Sequence, residues 1–206
     1  SAAGTIVDAL GDPAVAADGR IRFDALTSWT DPGSLPEPDP EVGEVEGRDG
    51  RTVARGGAGH RIAGFLGDGP QEANGFGGRT IYYDKTPSSL GAFNVDLTTA
   101  ADLQPDFDVA TVTEAERLIA YGRGLDVDDL DNDNDTSDAR EWIFGDPLHS
   151  RPLPINYGAI GGFSEPNNPG IYVAVASNDG MLRMIRNTRT SGGDTGEEVW
   201  AFMPRK

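Results

Sequence analysis

Ile171-Tyr172-Val173-Ala174-Val175-Ala176, Ser177-Asn178-Asp179-Gly180 and Met181-Leu182-Arg183-Met184-Ile185-Arg186 follow one another without a break. Two runs rich in β-branched and apolar residues flank a four-residue segment ending in Asp-Gly. That composition suits a tight hairpin turn, because glycine accepts positive φ at little steric cost. Working outward, 153–157 and 198–203 read as further strands, so the last sixty residues predict an antiparallel meander like most of one propeller blade or part of a sandwich. Upstream, 60–66, 79–83 and 92–97 are expected as short strands, with Thr80-Ile81-Tyr82-Tyr83 the most strand-like. One helix is expected at 113–122, where Thr113 and Glu116 have capping-box spacing and Ala115, Leu118 and Ile119 share a face. The expected fold class is therefore mainly β: a partial β-propeller of about one antiparallel blade plus lead-in strands, one short helix and an extended N-terminal segment.

Residues 1–47 carry little periodicity and include Pro36-Glu37-Pro38-Asp39-Pro40, whose alternating prolines oppose helix. They are expected to be an acidic, proline-rich linker preceding a second region at 48–206. Since one blade leaves an open edge, the chain is expected to be a piece of something larger.

The sequence has 206 residues, with 34 Asp and Glu against 17 Lys and Arg, a net charge of -17 and a pI near 4.3. Phosphate-backbone binding needs clustered cations, so this charge argues against nucleic acid as a partner and suits calcium, basic partners or saline surroundings better. The absence of cysteine removes disulfides, thiol nucleophiles and cysteine-based zinc sites. No apolar stretch approaches the length of a transmembrane helix.

Seven aspartates crowd into thirteen residues: Asp126, Asp128, Asp129, Asp131, Asp133, Asp135 and Asp138, interleaved with Asn132 and Asn134. Alternate-position carboxylates suit Ca²⁺, which takes about six to eight oxygen ligands. Mg²⁺ fits less well because it holds water tightly in a strict octahedron. In an EF-hand-type loop that starts at Asp129, the acids Asp129, Asp131 and Asp133 come first. Asn134 then falls at the turn, the Asp135 carbonyl at position 7 and Ser137 at position 9, with Arg140 at the closing position. A start at Asp131 puts Thr136 where glycine is preferred and Glu141 one residue early. Neither register is complete, and Asp138 could close a shortened loop. The candidate metal ligands are Asp129, Asp131, Asp133, Asp135 and Asp138; the competing reading is a solvated acidic loop.

Three stretches also resemble a known family. They are Gly145-Asp146-Pro147-Leu148-His149-Ser150-Arg151-Pro152, the 171–182 hairpin segment, and Thr195-Gly196-Glu197-Glu198-Val199-Trp200-Ala201-Phe202-Met203-Pro204. In this order they are similar to the opening of the C-terminal β-propeller of the PilY family, type IV pilus tip-associated adhesins and assembly factors. Arg79-Thr80-Ile81-Tyr82-Tyr83, Phe93-Asn94 and 117–124 look like that family's lead-in segment. The resemblance covers roughly 48–206. It implies a non-enzymatic, calcium-binding protein exported to the cell surface, acting in pilus biogenesis and adhesion. Its implied partners are the rest of the propeller, minor pilins at the pilus tip, and a host or abiotic surface.

His149 and His60 read as structural, His149 with its imidazole bonded to nearby backbone. Thr195-Gly196-x-x-x-Trp200 looks like the tryptophan-docking repeat of quinoprotein dehydrogenases, which leaves a quinoprotein-like enzyme fragment as one alternative. A buried Trp200 would contribute about 3 kcal/mol to packing. A purely structural acidic surface or filament protein is the other alternative.

Overall fold

The computed structural model describes residues 5–8, 10–22, 25–26, 29, 57–62, 78–130, 132, 134–137, 140, 143–159, 163, 168–188 and 196–205. Its centre is a six-stranded mixed sheet that does not close into a barrel. The strands are β1 (Ile81–Thr86), β2 (Ser89–Ala92), β3 (Leu153–Asn156), β4 (Ile171–Ala176), β5 (Leu182–Arg186) and β6 (Glu198–Met203). They lie in the order β2-β1-β6-β5-β4-β3.

Strands β3 to β6 form the expected antiparallel meander, with Val173 opposite Ile185 and Met184 opposite Trp200. The β4–β5 connection is the expected tight turn: Gly180 has φ +84° and its N–H donates to Ser177 O at 3.1 Å. Beyond the meander, β1 pairs parallel to β6, Ile81 opposite Ala201 and Tyr83 opposite Met203, and carries β2 as an antiparallel edge. The mixed sheet thus joins segments about 120 residues apart, a pairing that local pattern cannot announce.

Among the described residues two α-helices are present where one was expected. The first, α1 (Leu97–Phe107), starts at Asp96, whose carboxylate accepts the N–H groups of Thr98 and Thr99. A cap of this kind is worth about 1 kcal/mol. Residues 93–97 therefore leave the sheet, and the strand expected over 92–97 is confined to the end of β2. Alternation of Phe93, Val95 and Leu97 mimics a strand, but Leu97 is exposed and Ala100 and Leu103 turn inward. The second helix, α2 (Val112–Arg123), begins two residues earlier than the Thr113/Glu116 spacing suggests. Its capping box is Thr111 with Glu114, the Thr111 Oγ accepting the Glu114 N–H and the Glu114 carboxylate accepting the Thr111 N–H. Both Thr-x-x-Glu pairs fit locally; the earlier one also brings Val112 against the core.

The helices cover one face of the sheet. Ile81 and Tyr83 of β1, Ala201 of β6 and Met181 pack with Phe93, Ala100, Leu103, Ala115 and Ile119. Burial, then the hydrogen bond from its hydroxyl to Asp102, pushes the Tyr83 phenol up to about 12. The strand expected over 60–66 begins instead as a 3-10 turn, Gly59–Arg61, and 63–66 lie outside the described residues.

The boundary near residue 47 and the proline run also lie outside the described residues. Earlier residues carry local structure: bridges pair Val7 with Pro13 and Val15 with Ile21, and the Asp8 carboxylate accepts the N–H groups of Leu10, Asp12 and Leu26. Trp29 reaches the sheet, where its indole N–H donates to Asn187 Oδ1 at 2.9 Å. Its Cβ lies 2.6 Å from where a Cβ at Gly196 would stand, and Gly196 has φ +86°. The glycine of the Thr195-Gly196 pair therefore receives Trp29, while Trp200 on β6 is only half-buried, so the full burial expected of it is not reached.

Between helices and sheet lies an ion cluster. The Glu198 carboxylate is 3% exposed and takes a bidentate pair of hydrogen bonds from Arg79, at 2.8 and 2.9 Å. On its other side stands Arg183 Nε at 3.3 Å, with the Arg79 and Arg183 side chains at 0% and 1% exposure. Removing one member of such a group strands the others in low dielectric, at about 3–5 kcal/mol. Glu198→Ala is expected to lose stability of that order in urea unfolding. Gly196→Ala should lower the melting temperature as well, and Trp29→Ala should relieve the part of that loss that comes from the clash.

Candidate metal centre

The aspartate run begins where α2 stops. Gly124 ends the helix at φ +116°, its N–H donating to the carbonyls of Ala120 and Tyr121, and the Leu125 N–H also returns to Ala120 O. This left-handed glycine ending uses up helix carbonyls that would otherwise lack donors. At the far end of the run, Arg140 comes back to the same helix turn. Its N–H donates to Gly124 O at 2.8 Å and its Nη2 to Tyr121 O at 2.9 Å. Its guanidinium lies 3.7 Å from the centre of the Tyr121 ring. Burial lowers the pKa of Arg140. The aspartates thus occupy a loop whose two ends are tied to one helix terminus.

Inside the loop the backbone turns repeatedly. Asp129, Asn132 and Asn134 have φ of +51°, +62° and +68°. Left-handed conformations are costly for residues other than glycine and fall preferentially on Asn and Asp. The Asp129 Oδ1 accepts the Asn134 N–H at 3.0 Å, and Asp129 O accepts the Asn132 N–H at 3.2 Å. The Asp135 Oδ1 accepts the Ser137 hydroxyl at 2.6 Å and its N–H at 2.8 Å, bonds that hold its carboxyl below the usual carboxylate value.

Of the five expected ligands, Asp129 and Asp135 are described; Asp131, Asp133 and Asp138 lie outside the described residues. Among the described residues, no group of three or more His, Cys, Asp or Glu side chains is gathered as a ready ligand set. The donors present nevertheless suit a hard cation, being oxygens only. Register also discriminates. With Asp129 first, the left-handed Asn134 falls sixth, where an EF-hand loop has its glycine. Arg140 then falls at the closing position, where its buried packing on Tyr121 excludes it as a ligand and leaves closure to another residue.

Two features of this region were not legible in the run itself. Asp128 forms an ion pair with Arg117, nearly two turns before the end of α2, so the loop's charge is not wholly uncompensated. Asp126, absent from the expected ligand set, is 1% exposed. Its Oδ2 accepts the Leu130 N–H at 2.7 Å, while its Oδ1 is buried with no hydrogen-bond partner. The signal available in the sequence was its place just after the Gly124-Leu125 helix ending.

The family-like stretches converge next to this loop. A Cβ at Gly145 would lie 2.6 Å from Asn178 Oδ1 and 2.9 Å from the Asp179 backbone nitrogen, so only glycine allows this approach. The Gly145 N–H donates to Asp179 Oδ2 at 3.3 Å and the Asn178 N–H to Asp146 O at 3.0 Å. Asp179 also binds Arg183 and accepts the Ser177 hydroxyl. The turn is therefore a structural junction. His149 is exposed, and among the described residues its imidazole makes no hydrogen bond, contrary to the backbone contact expected of it.

No family model, no curated protein and no solved structure matches the chain. Among the described residues, no helix is long and apolar enough to cross a membrane.

Burial works to raise the Asp179 pKa, but the Arg183 guanidinium and the Ser177 hydroxyl outweigh it and leave the carboxyl below its ordinary value of 3.8. A carboxyl lowered by folding adds stability above its unfolded pKa, and that stability disappears as pH falls through the folded value. Asp179→Asn is therefore expected to lower stability near neutrality and to lose less on acidification below pH ~4 than the parent does. Chemical denaturation at several pH values reads both effects.

Proposed function

We propose that this chain is a calcium-binding, non-enzymatic segment of a pilus tip-associated adhesin and assembly protein of the PilY kind, exported to the cell surface. The likeness of the Gly-Asp-Pro-Leu-His-Ser, Asn-Asp-Gly-Met-Leu and Thr-Gly-x-x-x-Trp stretches to that family supports the assignment. The four-stranded meander β3 to β6 is compatible with a propeller blade. Its partners in this reading are further blades, minor pilins at the pilus tip, and the surface to which the tip attaches.

The calcium component is carried by one observation, the backbone of the aspartate loop. The chain folds back on the Asp129 carboxylate through the Asn134 N–H, with left-handed residues at 129, 132 and 134. In this proposal, closure of the loop on a cation brings its alternate carboxylates to one ion. Without a cation, those charges oppose closure of the loop; with one, closure and binding become the same event.

The mechanism is linkage. An ion that binds only the folded loop stabilises it by RT ln(1 + [Ca²⁺]/Kd), about 2.7 kcal/mol at a hundredfold excess over Kd. For a chain of this size that corresponds to a melting-temperature rise of roughly 5–10 °C. Calorimetric titration and thermal melts are expected to show saturable Ca²⁺ heat and this rise. Asp129→Ala should reduce both. A chain that gives neither heat nor shift with Ca²⁺ would refute the calcium component.

A further inference from the structure

Four bonds of the chain join Asp to Pro, and one of them, Asp146–Pro147, stands between the segment that supplies β1, β2 and both helices and the segment that supplies β3 to β6. Such a bond carries its own nucleophile. The Asp carboxylate is tethered beside its own backbone carbonyl carbon, and attack within one residue has a high effective concentration. Proline has no N–H, so no hydrogen bond from the leaving nitrogen has to break. At Asp146 the fold adds a donor for the oxyanion. The Asp146 carbonyl oxygen accepts the Asn178 N–H at 3.0 Å, where negative charge gathers on attack. That donor is held in place: Gly145 packs where a Cβ would lie 2.6 Å from Asn178 Oδ1, and Asp179 next to it binds Arg183 and the Ser177 hydroxyl. The neighbouring charge on this turn, Asp179, is thus already paired, and His149 and Arg151 further along the segment are exposed. Asp146 and Pro147 are exposed too. Among the described residues the Asp146 carboxylate makes no hydrogen bond or ion pair, which leaves it free to turn onto its carbonyl. Asp12–Pro13 is less well placed. Its carbonyl accepts the Asp8 N–H, but the Asp8 carboxylate lies against the Asp12 N–H and brings negative charge to the same turn.

We infer that the chain cleaves itself at Asp146–Pro147 and persists as two chains held together by one sheet. A carboxylate oxygen of Asp146 attacks its own carbonyl carbon and closes a cyclic anhydride, the Asn178 N–H bonding the oxyanion on the way. The C–N bond breaks, and its electron pair goes to the Pro147 nitrogen, which takes protons from water and leaves as a secondary ammonium. A water molecule then opens the anhydride, restoring the Asp146 side chain and leaving a new backbone carboxylate. The sum is hydrolysis of one peptide bond by one water, with no change of oxidation state. The pieces 1–146 and 147–206 stay joined, because their contacts do not run through the broken bond. Strand β1 pairs with β6, Arg79 binds Glu198, Arg205 pairs with Asp102 and Asp106, and Trp29 bonds Asn187. The inference stands apart from the calcium reading.

The test incubates the purified full chain for days from about pH 4 to about pH 7, folded and in urea, and follows it by intact mass. Every Asp–Pro bond has some intrinsic lability, so the unfolded chain gives the reference rate for the same bond. The expected result is accumulation of pieces 1–146 and 147–206 from the folded chain at least about tenfold faster than from the unfolded one, the lower end of what one well-placed oxyanion donor supplies. Asp146→Ala, an exposed change, should abolish this cut while the fold is kept. The cleaved protein should elute as a single species of the parent's size and separate only in denaturant. A folded chain cut at this bond no faster than the unfolded one overturns the inference, as does a folded chain that stays intact. Cleavage that persists in Asp146→Ala also overturns it, since a contaminating protease would then be the agent. Pieces that part without denaturant overturn the two-chain product.

Discussion

Glu198 lies out of water between Arg79, which enters from just before β1, and Arg183 of β5, and its own strand, β6, joins the two halves of the sheet. One carboxylate thereby ties together three segments distant in the chain. An ionised acid in that position is stabilised by both guanidiniums, of which Arg183 also pairs with Asp179 and Arg79 also binds helix carbonyls. The parallel β1–β6 pairing, with Ile81 opposite Ala201, holds Arg79 against Glu198.

One of these guanidiniums, that of Arg79, also helps finish a helix. Carbonyls at the end of α2 carry the negative end of its dipole, and cationic donors there are favourable. Arg79 donates to the carbonyls of Gly122 and Arg123, and Arg140 donates to Tyr121 O. Arg123 turns back, its Nη1 binding Phe93 O and its Nη2 binding Arg79 O. Burial, reinforced by the neighbouring Arg79, lowers the Arg123 pKa to about 10. A chain with twice as many acids as bases has thus placed several of its arginines inside. Acidic side chains consequently dominate its surface, and the densest group of them begins where the arginine-held helix ends.

That adjacency joins the candidate metal centre to the fold. The loop leaves and re-enters at one helix turn, so any ion that closes it acts on backbone already fixed by Arg79 and Arg140. The Gly145 contact with the Asn178-Asp179 turn, and the Asp179 pair with Arg183, extend the same chain of contacts into the meander. The stretches that look most like a family signature are, in physical terms, the places where one backbone must come close to another.

Local chemistry in the sequence determined the meander of β4, β5 and β6 and its Asp-Gly turn, because alternation and φ preferences act between near neighbours. It also determined that α2 is a helix with a Thr/Glu capping box, and that any ion in the aspartate run must be a hard one. The choice between two overlapping capping boxes fell to tertiary structure, since only packing of Val112 distinguishes them. So did α1, whose Phe93-Val95-Leu97 approach imitates a strand until Asp96 caps the next turn. Burial of Asp126, the Arg117–Asp128 pair, the docking of Trp29 on Gly196 and the buried Arg79–Glu198–Arg183 cluster belong to tertiary structure alone. Each joins groups whose separation along the chain carries no periodic signal, and the low dielectric that gives buried charges their weight exists only once the helices cover the sheet.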